Sequence, residues 1–414
     1  MSTAAFSRGP CATASTSAST SPARARRIAP RRPSGRARGS RTRRGASPRA
    51  PEASAASAAT STFSALPVLQ LPDEDCTPEE EAAFCVRLRD VCHTVGFFYV
   101  ANHGIAPKVT VDVLEASRAF FALPHDVKQG IANVNSPAFR GYVRLGAENT
   151  AGRPDWREQI EMGVEADAPG EETGAEADAA GVDADAAGGV DAYTAGDRPV
   201  YDVLVGPNQW PEESACPGFR RRVTAFLDDA ASLSRRLMEL LALSLDLPRD
   251  FFDDDFRGRP NVQAKIASCP SAPEGSPSSA SSFGVGAHTD SGYLSLLLQD
   301  DVGGLQVQNG HGEWIDAMPI DGTLVVNLGE MLQLRTRGYY LATPHRVVSK
   351  AASGAGSPPR LSVPYFWNPR LDAVIEPMES LPETLTWLRP EPEDVAETRS
   401  HGDGGNRLIG LTPR

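Results

Sequence analysis

The stretch Gly284-Val-Gly-Ala-His288-Thr289-Asp290 decides the fold, together with a second histidine at Thr343-Pro344-His345-Arg346-Val347. In extended chain, side chains two apart project from one face, so His288 and Asp290 converge while Thr289 points away. His345 opens a later strand. Two histidines and one carboxylate from a β core make a facial triad that leaves three metal positions open. That set suits non-haem Fe(II) and oxygen chemistry. Fifteen residues on comes Arg360-Leu361-Ser362, again with i and i+2 on one face. A guanidinium beside a hydroxyl in a β interior is a ready clamp for a carboxylate.

Outward from these motifs the texture is β. From about Val262, short runs recur at Tyr293–Gln299, Leu305–Gln308, Trp314–Ala317, Thr323–Leu328, Arg346–Ser349 and Arg360–Trp367. Gly, Asp, Asn and Pro punctuate them about every ten residues, the rhythm of a sandwich or barrel. Upstream the period is helical. Thr77-Pro78-Glu79-Glu80 is a capping box with Pro at the first helical position. Phe84, Leu88, Val91 and Val95 then line one face, with Cys85 and Cys92 as core, and Gly96 supplies the stop. Phe97-Phe98-Tyr99-Val100 reads as a buried strand and Lys108–Phe121 as a second helix. The longest helix starts near Pro217, carries Phe219, Val223, Phe226, Ala230, Leu233, Leu237 and Leu241 on one stripe, and ends before Pro248. Helices first and strands later imply a β core with a helical buttress.

The 414-residue chain has hydrophobic residues enough for a core (40%), while 37 Gly and 34 Pro imply long irregular segments. Its net charge of −12 hides two opposite parts. Residues 1–50 hold twelve Arg and no acid, so the remainder carries twice that negative charge. A body that acidic repels phosphate, which argues against nucleic acid as a partner. Residues 1–60, rich in Arg, Ser, Ala and Pro, read as a basic leader. An organellar transit peptide fits it, with plastid favoured over mitochondrion or cytoplasm. The stretch from about Glu165 to Asp197 has ten acids and no base, the composition of a looped-out insert. Ser271–Ser282, with six Ser, is a candidate loop at a pocket rim. The six cysteines (Cys11, Cys76, Cys85, Cys92, Cys216 and Cys269) form no CxxC pair, which fits a reducing compartment and offers no zinc site. No apolar run is long enough to span a bilayer. The expected organisation is a leader (1–60), an N-terminal region (61–164), the insert (165–198), a helical segment (199–260), the β core (261–375) and a C-terminal extension (376–414).

From about Leu66 to Ile375 the sequence resembles the 2-oxoglutarate/Fe(II)-dependent dioxygenases of the isopenicillin N synthase-like superfamily. The matches run in order: Gly96-Phe97-Phe98 with Asn102-His103-Gly104, Arg140-Gly141-Tyr142, Gly206-Pro-Asn-Gln-Trp-Pro211 and His288-Thr-Asp290. Then follow Gly303-Gly304-Leu305-Gln306-Val307, Trp314, Asn327-Leu-Gly329, His345-Arg-Val347 and Arg360-Leu-Ser362. So many ordered matches are far more specific than a lone HxD. The resemblance implies a double-stranded β-helix (jelly-roll) core with N-terminal helices. It implies His288, Asp290 and His345 as Fe(II) ligands, and Arg360 and Ser362 as the grip on the far carboxylate of 2-oxoglutarate. With O2 as the oxidant, a small metabolite, as in secondary metabolism, would be hydroxylated or desaturated as succinate and CO2 leave. A monomer with no membrane partner is expected. The alternatives are an Fe(II) oxidase that dispenses with 2-oxoglutarate, or a non-catalytic metal- or ligand-binding β module.

Two departures stand out. The family commonly places Tyr-Pro on the strand before the HxD, where this chain has Cys269-Pro270. Lys350–Pro359 lengthens the loop before Arg360 by about five residues against the usual family spacing. Cys269 is thus either an inert buried thiol or a pocket residue near the metal. The plainer readings make His103 a turn residue, His93 a cap or core residue, and His125, His311 and His401 solvated. They make Trp156, Trp210 and Trp314 core, and Asp155 with Glu158 a surface i, i+3 pair, the alternative being that these two line the substrate pocket.

Overall fold

In the computed structural model, residues 63–150, 152–166, 199–271, 283–349 and 358–387 are described. The expected leader, residues 167–198 of the insert, 272–282 of the Ser-rich stretch, 350–357 of the long loop and 388–414 lie outside them.

The chain opens with β1 (Val68–Gln70), α1 (Pro78–Thr94), β2 (Phe97–Ala101), α2 (Pro107–Phe121) and α3 (His125–Gly130). Short strands follow: β3 (Gly141–Val143), β4 (Asn149–Thr150), β5 (Arg153–Pro154) and β6 (Glu158–Gly163). Then come α4 (Phe219–Ser244), α5 (Asp253–Phe256), β7 (Gln263–Cys269), β8 (Phe283–His288), β9 (Leu294–Gln299) and β10 (Leu305–Gln308). The series closes with β11 (Trp314–Asp316), β12 (Thr323–Leu328), α6 (Glu330–Arg335), β13 (His345–Val348) and β14 (Arg360–Trp367).

Eight strands form one sheet in the order β1-β2-β12-β9-β14-β7-β6-β3, and four form a second, β11-β10-β13-β8. Apart from the parallel β1–β2 pair, the ladders of both sheets are antiparallel. The two sheets are the jelly-roll core, left open rather than closed into a barrel. Between them lies a small apolar cluster of Phe97, Tyr99, Val285, Leu305, Val307, Val325 and Val347. The outer face of the large sheet is covered by α1, α2 and α4, where Phe84, Leu88, Phe120, Phe226 and Leu237 meet Leu296, Leu298, Val326 and Val363. Alternation along each strand therefore feeds two different environments, helices behind and the cavity in front.

The helical expectations match the observed elements. Thr77 and Glu80 exchange both hydrogen bonds of the capping box, and Gly96 turns the chain at φ +68° after α1. A Cβ at Gly96 would stand 2.3 Å from the carbonyl oxygen of Leu341, so the position requires glycine twice over. Cys85 and Cys92 are buried, and burial pushes the Cys85 thiol up to about 11. Among the strands, β13 starts one residue earlier than expected because His345 already pairs with His288. Tyr293 lies just outside β9, donating its hydroxyl to Asp255. β3 and β6 escaped the sequence reading. Their apolar residues are few, and they are extended because β6 pairs with β7 across six residues. Glu165, expected as the first residue of the insert, belongs to the fold: its carboxylate accepts from Asn208 and Trp210. Among the described residues no helix is long and apolar enough to cross a membrane.

Candidate metal centre and its cavity

His288 ends β8 and His345 begins β13, and the antiparallel ladder sets them directly opposite one another. Their rings lie 4.2 Å apart, centroid to centroid. Asp290 sits two residues beyond β8, where its Oδ1 is 3.6 Å from His288 Nε2 and 3.7 Å from His345 Nε2. The three ligand atoms lie within 4.8 Å of one another, close enough to hold one metal ion.

Everything else about these side chains is already committed elsewhere. Asp290 Oδ2 accepts from Ser295 Oγ at 2.6 Å and Asn327 Nδ2 at 2.8 Å, leaving Oδ1 to face the histidines. His288 Nδ1 lies 2.9 Å from the Gly286 carbonyl and His345 Nδ1 3.2 Å from that of Thr343. A carbonyl only accepts, so the proton belongs on Nδ1 in both rings, and both Nε2 lone pairs point inward. Such outer hydrogen bonds fix tautomer and orientation in metal-binding histidines. The donor set and its orientation therefore fit a divalent iron with open positions.

The charges agree. Burial alone would raise the Asp290 carboxyl. The facing imidazoles of His288 and His345, with hydrogen bonds from Asn327 and Ser295, instead hold it well below the usual carboxylate range. Burial lowers His345, whereas at His288 the opposing burial is outweighed by Asp290 and the Gly286 carbonyl, and its pKa rises. A carboxylate kept ionised between two imidazoles is an electrostatic seat for a cation.

The triad opens into a cavity of about 480 Å³ between the sheets. Alternate residues of β7 (Gln263, Lys265, Ala267, Cys269) and β14 (Arg360, Ser362, Pro364, Phe366) form its floor. Arg360 is 5% exposed, donates Nη1 to Ser362 Oγ at 2.8 Å and Nη2 to Gln299 Oε1 at 3.3 Å, and has no partner for its buried Nε. A buried guanidinium with a donor unspent is fitted to an anion. Cys269 stands opposite Arg360 across the β7–β14 ladder and is both buried and cavity-lining. Burial raises its thiol pKa, with the Arg360 charge opposing. Gly284 faces it, and a Cβ there would come within 2.9 Å of Cys269 Sγ.

Several residues around the cavity differ from the sequence expectation. Asp155 and Glu158 are not a surface pair. Asp155 is 2% exposed, accepts from Thr150 Oγ1 and the Gly286 N–H, and pairs with Arg157, while Glu158 binds Lys128 and Tyr142. Glu158 is drawn in because it opens β6, which pairs with β7 inside the large sheet, whereas Asp155, ahead of that strand, is held by Thr150 and Gly286. Trp156, Trp210 and Trp314 are half-buried rather than core. Trp314 carries the Arg346 guanidinium 3.9 Å above its ring, and Trp210 donates to Glu165, so each keeps one face for a polar neighbour. His93 is fully buried against Tyr339, His103 accepts from the Ile105 N–H in its turn, and His125 and His311 are exposed, as expected. His401 lies outside the described residues. Ser295, Asn327 and Arg157 received no role from the sequence. A lone polar residue inside the apolar runs Leu294-Ser-Leu and Val326-Asn-Leu was the available signal for the first two.

The comparisons with known proteins agree with this architecture. Residues 66–213 match the family model described as non-haem dioxygenase in morphine synthesis N-terminal, and residues 261–369 that of the 2OG-Fe(II) oxygenase superfamily. The 2-oxoglutarate-dependent dioxygenase frbJ of Dothideomycetidae sp. (strain 11243) is 39% identical over 80% of this chain and 81% of that protein. A homoarginine-6-hydroxylase of Oryza sativa subsp. japonica is 32% identical over 77% of this chain and 90% of its own length. Among solved structures, a full-length Neurospora crassa protein in complex with alpha-KG superposes with a TM-score of 0.62. It is 26% identical and covers 79% of this chain and 92% of that one. With a jelly roll, a His-Asp-His set fitted to Fe(II) and matches across both halves of the fold, the chain belongs to the 2OG-Fe(II) oxygenase superfamily, enzymes that use Fe(II), 2-oxoglutarate and O2.

Proposed function

We propose that His288, Asp290 and His345 hold the Fe(II), that Arg360 and Ser362 hold the far carboxylate of 2-oxoglutarate, and that a small metabolite is hydroxylated or desaturated above them. The observation that carries this reading is the division of labour at Asp290: Oδ2 is spent on Ser295 and Asn327 while Oδ1 faces both Nε2 atoms. When bound, Fe(II) with 2-oxoglutarate supplies the oxidising chemistry, and succinate and CO2 leave as the substrate is oxidised. The chain's own work is positioning. Asn327 and Ser295 keep the carboxylate from rotating, and the Gly286 and Thr343 carbonyls keep each imidazole proton on Nδ1. Arg360 neutralises a carboxylate at the far end of the cavity, where Ser362 steadies the guanidinium. Phe97, Val285, Leu297, Leu305 and Val347 line the space between and limit water.

The reading that dispenses with 2-oxoglutarate is not favoured, because the relatives named above include a 2-oxoglutarate-dependent dioxygenase and a structure in complex with alpha-KG. Succinate release and oxygen uptake, measured with purified protein and Fe(II) against a metabolite panel, test the proposal. Oxygen uptake without succinate would overturn the role given to 2-oxoglutarate. The relatives' named substrate, homoarginine, belongs first in that panel. The proposal extends to a monomer of secondary metabolism delivered to plastids by residues 1–60, whose Arg-rich composition, with Glu52 its single acid, supports it. Fusing residues 1–60 to a fluorescent protein tests the delivery, and diffuse or nuclear fluorescence would sink it.

A further inference from the structure

Among the described residues, three cationic side chains line the cavity: Arg157, Lys265 and Arg360. Lys265 is paired with Glu161 at 2.9 Å, and Arg360 belongs to the co-substrate in the function proposed above. Arg157 has no role there. Its side chain is 12% exposed, and its two ion pairs, to Asp155 at 3.3 Å and Glu148 at 3.6 Å, both run through Nη2. Its Nε is buried with no hydrogen-bond partner.

The backbone around Arg157 is fixed on both sides. The Trp156 N–H donates to the Phe283 carbonyl at the start of β8, and the Arg157 carbonyl accepts from the Gly146 N–H. Asp155, which holds the guanidinium, is itself held by Thr150 Oγ1 at 2.8 Å and by the Gly286 N–H at 3.3 Å. Gly286 allows that approach, since a Cβ there would stand 2.9 Å from Thr150 Cβ. The chain has thus built a supporting network to hold one cation at the cavity wall on the β8 side, the strand that ends in His288. A guanidinium seated this way at a cavity wall, with its ion pairs confined to Nη2, is placed to meet a planar two-oxygen acceptor.

We propose that Arg157 is a substrate-recognition residue that binds a carboxylate, so that the substrate of this oxygenase is a small organic acid or amino acid. The proposal rests on the function argued above and narrows its substrate class. Because 2-oxoglutarate also carries carboxylates, the test separates the two sources.

The protein is loaded anaerobically with Fe(II) and 2-oxoglutarate and titrated with matched acid and amide pairs: hexanoate and hexanamide, phenylacetate and phenylacetamide, L-norleucine and L-norleucinamide. Binding is read from the change each causes in the charge-transfer absorption of the loaded site. At least one acid is expected to bind about tenfold or more tightly than its amide, the ratio one charge-assisted hydrogen bond supplies. Arg157→Gln should bring that ratio to near one, and Arg157→Lys should restore only part of it. In both variants the charge-transfer absorption itself, and its half-saturation by 2-oxoglutarate, should persist, which also reports that they fold. If Arg157→Gln leaves Asp155 buried, unpaired and the protein unfolded, Asp155→Asn combined with Arg157→Gln removes both charges and gives the same reading. No acid preference for any pair in the wild type, or a preference that survives Arg157→Gln, would overturn the proposal. A loss of 2-oxoglutarate affinity in Arg157→Gln with the acid preference intact would also overturn it, by assigning Arg157 to the co-substrate. Failure of the underlying function looks different: the wild type would then show no charge-transfer absorption at all.

Discussion

Replacing Arg360 by alanine isolates the co-substrate grip, and the structure sets its size. The guanidinium is buried, Nη1 and Nη2 are engaged by Ser362 and Gln299, and Nε has no partner. The family's usual tyrosine is absent, with Cys269 standing opposite Arg360 in the ladder. The carboxylate therefore depends mainly on this one fork. A charge-assisted hydrogen bond contributes about 1.5–3 kcal/mol, which at about 1.4 kcal/mol per decade is roughly tenfold to a hundredfold in affinity. Arg360→Lys should recover little of it, because a point charge does not reproduce the planar fork. Ser362→Ala removes one neutral contact and should cost about 0.5–1.5 kcal/mol. The assay is succinate formation against 2-oxoglutarate concentration, with thermal unfolding as the control, since Asp300 also feels the Arg360 charge. Half-saturation unchanged in Arg360→Ala, with succinate still formed, would refute the reasoning and place the clamp elsewhere.

Other consequences are open to measurement. Asn327→Ala and Ser295→Ala free Asp290 Oδ2 and should weaken Fe(II) binding by about 10- to 100-fold while the fold persists, as read by anaerobic metal titration. Gly96→Ala sets a Cβ on a left-handed backbone against the Leu341 carbonyl and should destabilise by about 1–3 kcal/mol, seen as a lower denaturant midpoint. Deleting residues 167–197 while keeping Glu165 should leave metal binding and unfolding nearly unchanged. A large drop in melting temperature would show that the acidic segment contributes to the fold. Native alkylation should spare Cys85, Cys92, Cys216 and Cys269, which are buried with raised thiol pKa values, until the protein is unfolded.

The residues that were legible in the sequence are those whose chemistry is carried by local spacing. His288 and Asp290 lie two apart, as do Arg360 and Ser362, and strand alternation alone places each pair on one face. The capping box at Thr77 and the stripe of α4 are local in the same sense. What stayed hidden depends on pairings far apart in sequence. Glu158 reads as a surface residue until β6 is known to sit between β3 and β7, and Asp155 until its contact with Gly286, 131 residues on, is known. Arg157 reaches the cavity because Trp156 is tied to Phe283, 127 residues away in numbering and adjacent in space. The half-buried tryptophans were misjudged because composition reports that a ring prefers the interior, whereas the polar neighbours that keep Trp210 and Trp314 at the surface, Glu165 and Arg346, are set by tertiary contact.

Anaerobic titration of the purified protein with Fe(II) and then 2-oxoglutarate shows whether the triad and Arg360 hold the two. A charge-transfer absorption is expected that saturates with one iron per chain, is abolished in His345→Ala and Asp290→Ala, and requires higher 2-oxoglutarate in Arg360→Ala. The same absorption in His345→Ala or Asp290→Ala as in the wild type would contradict that assignment.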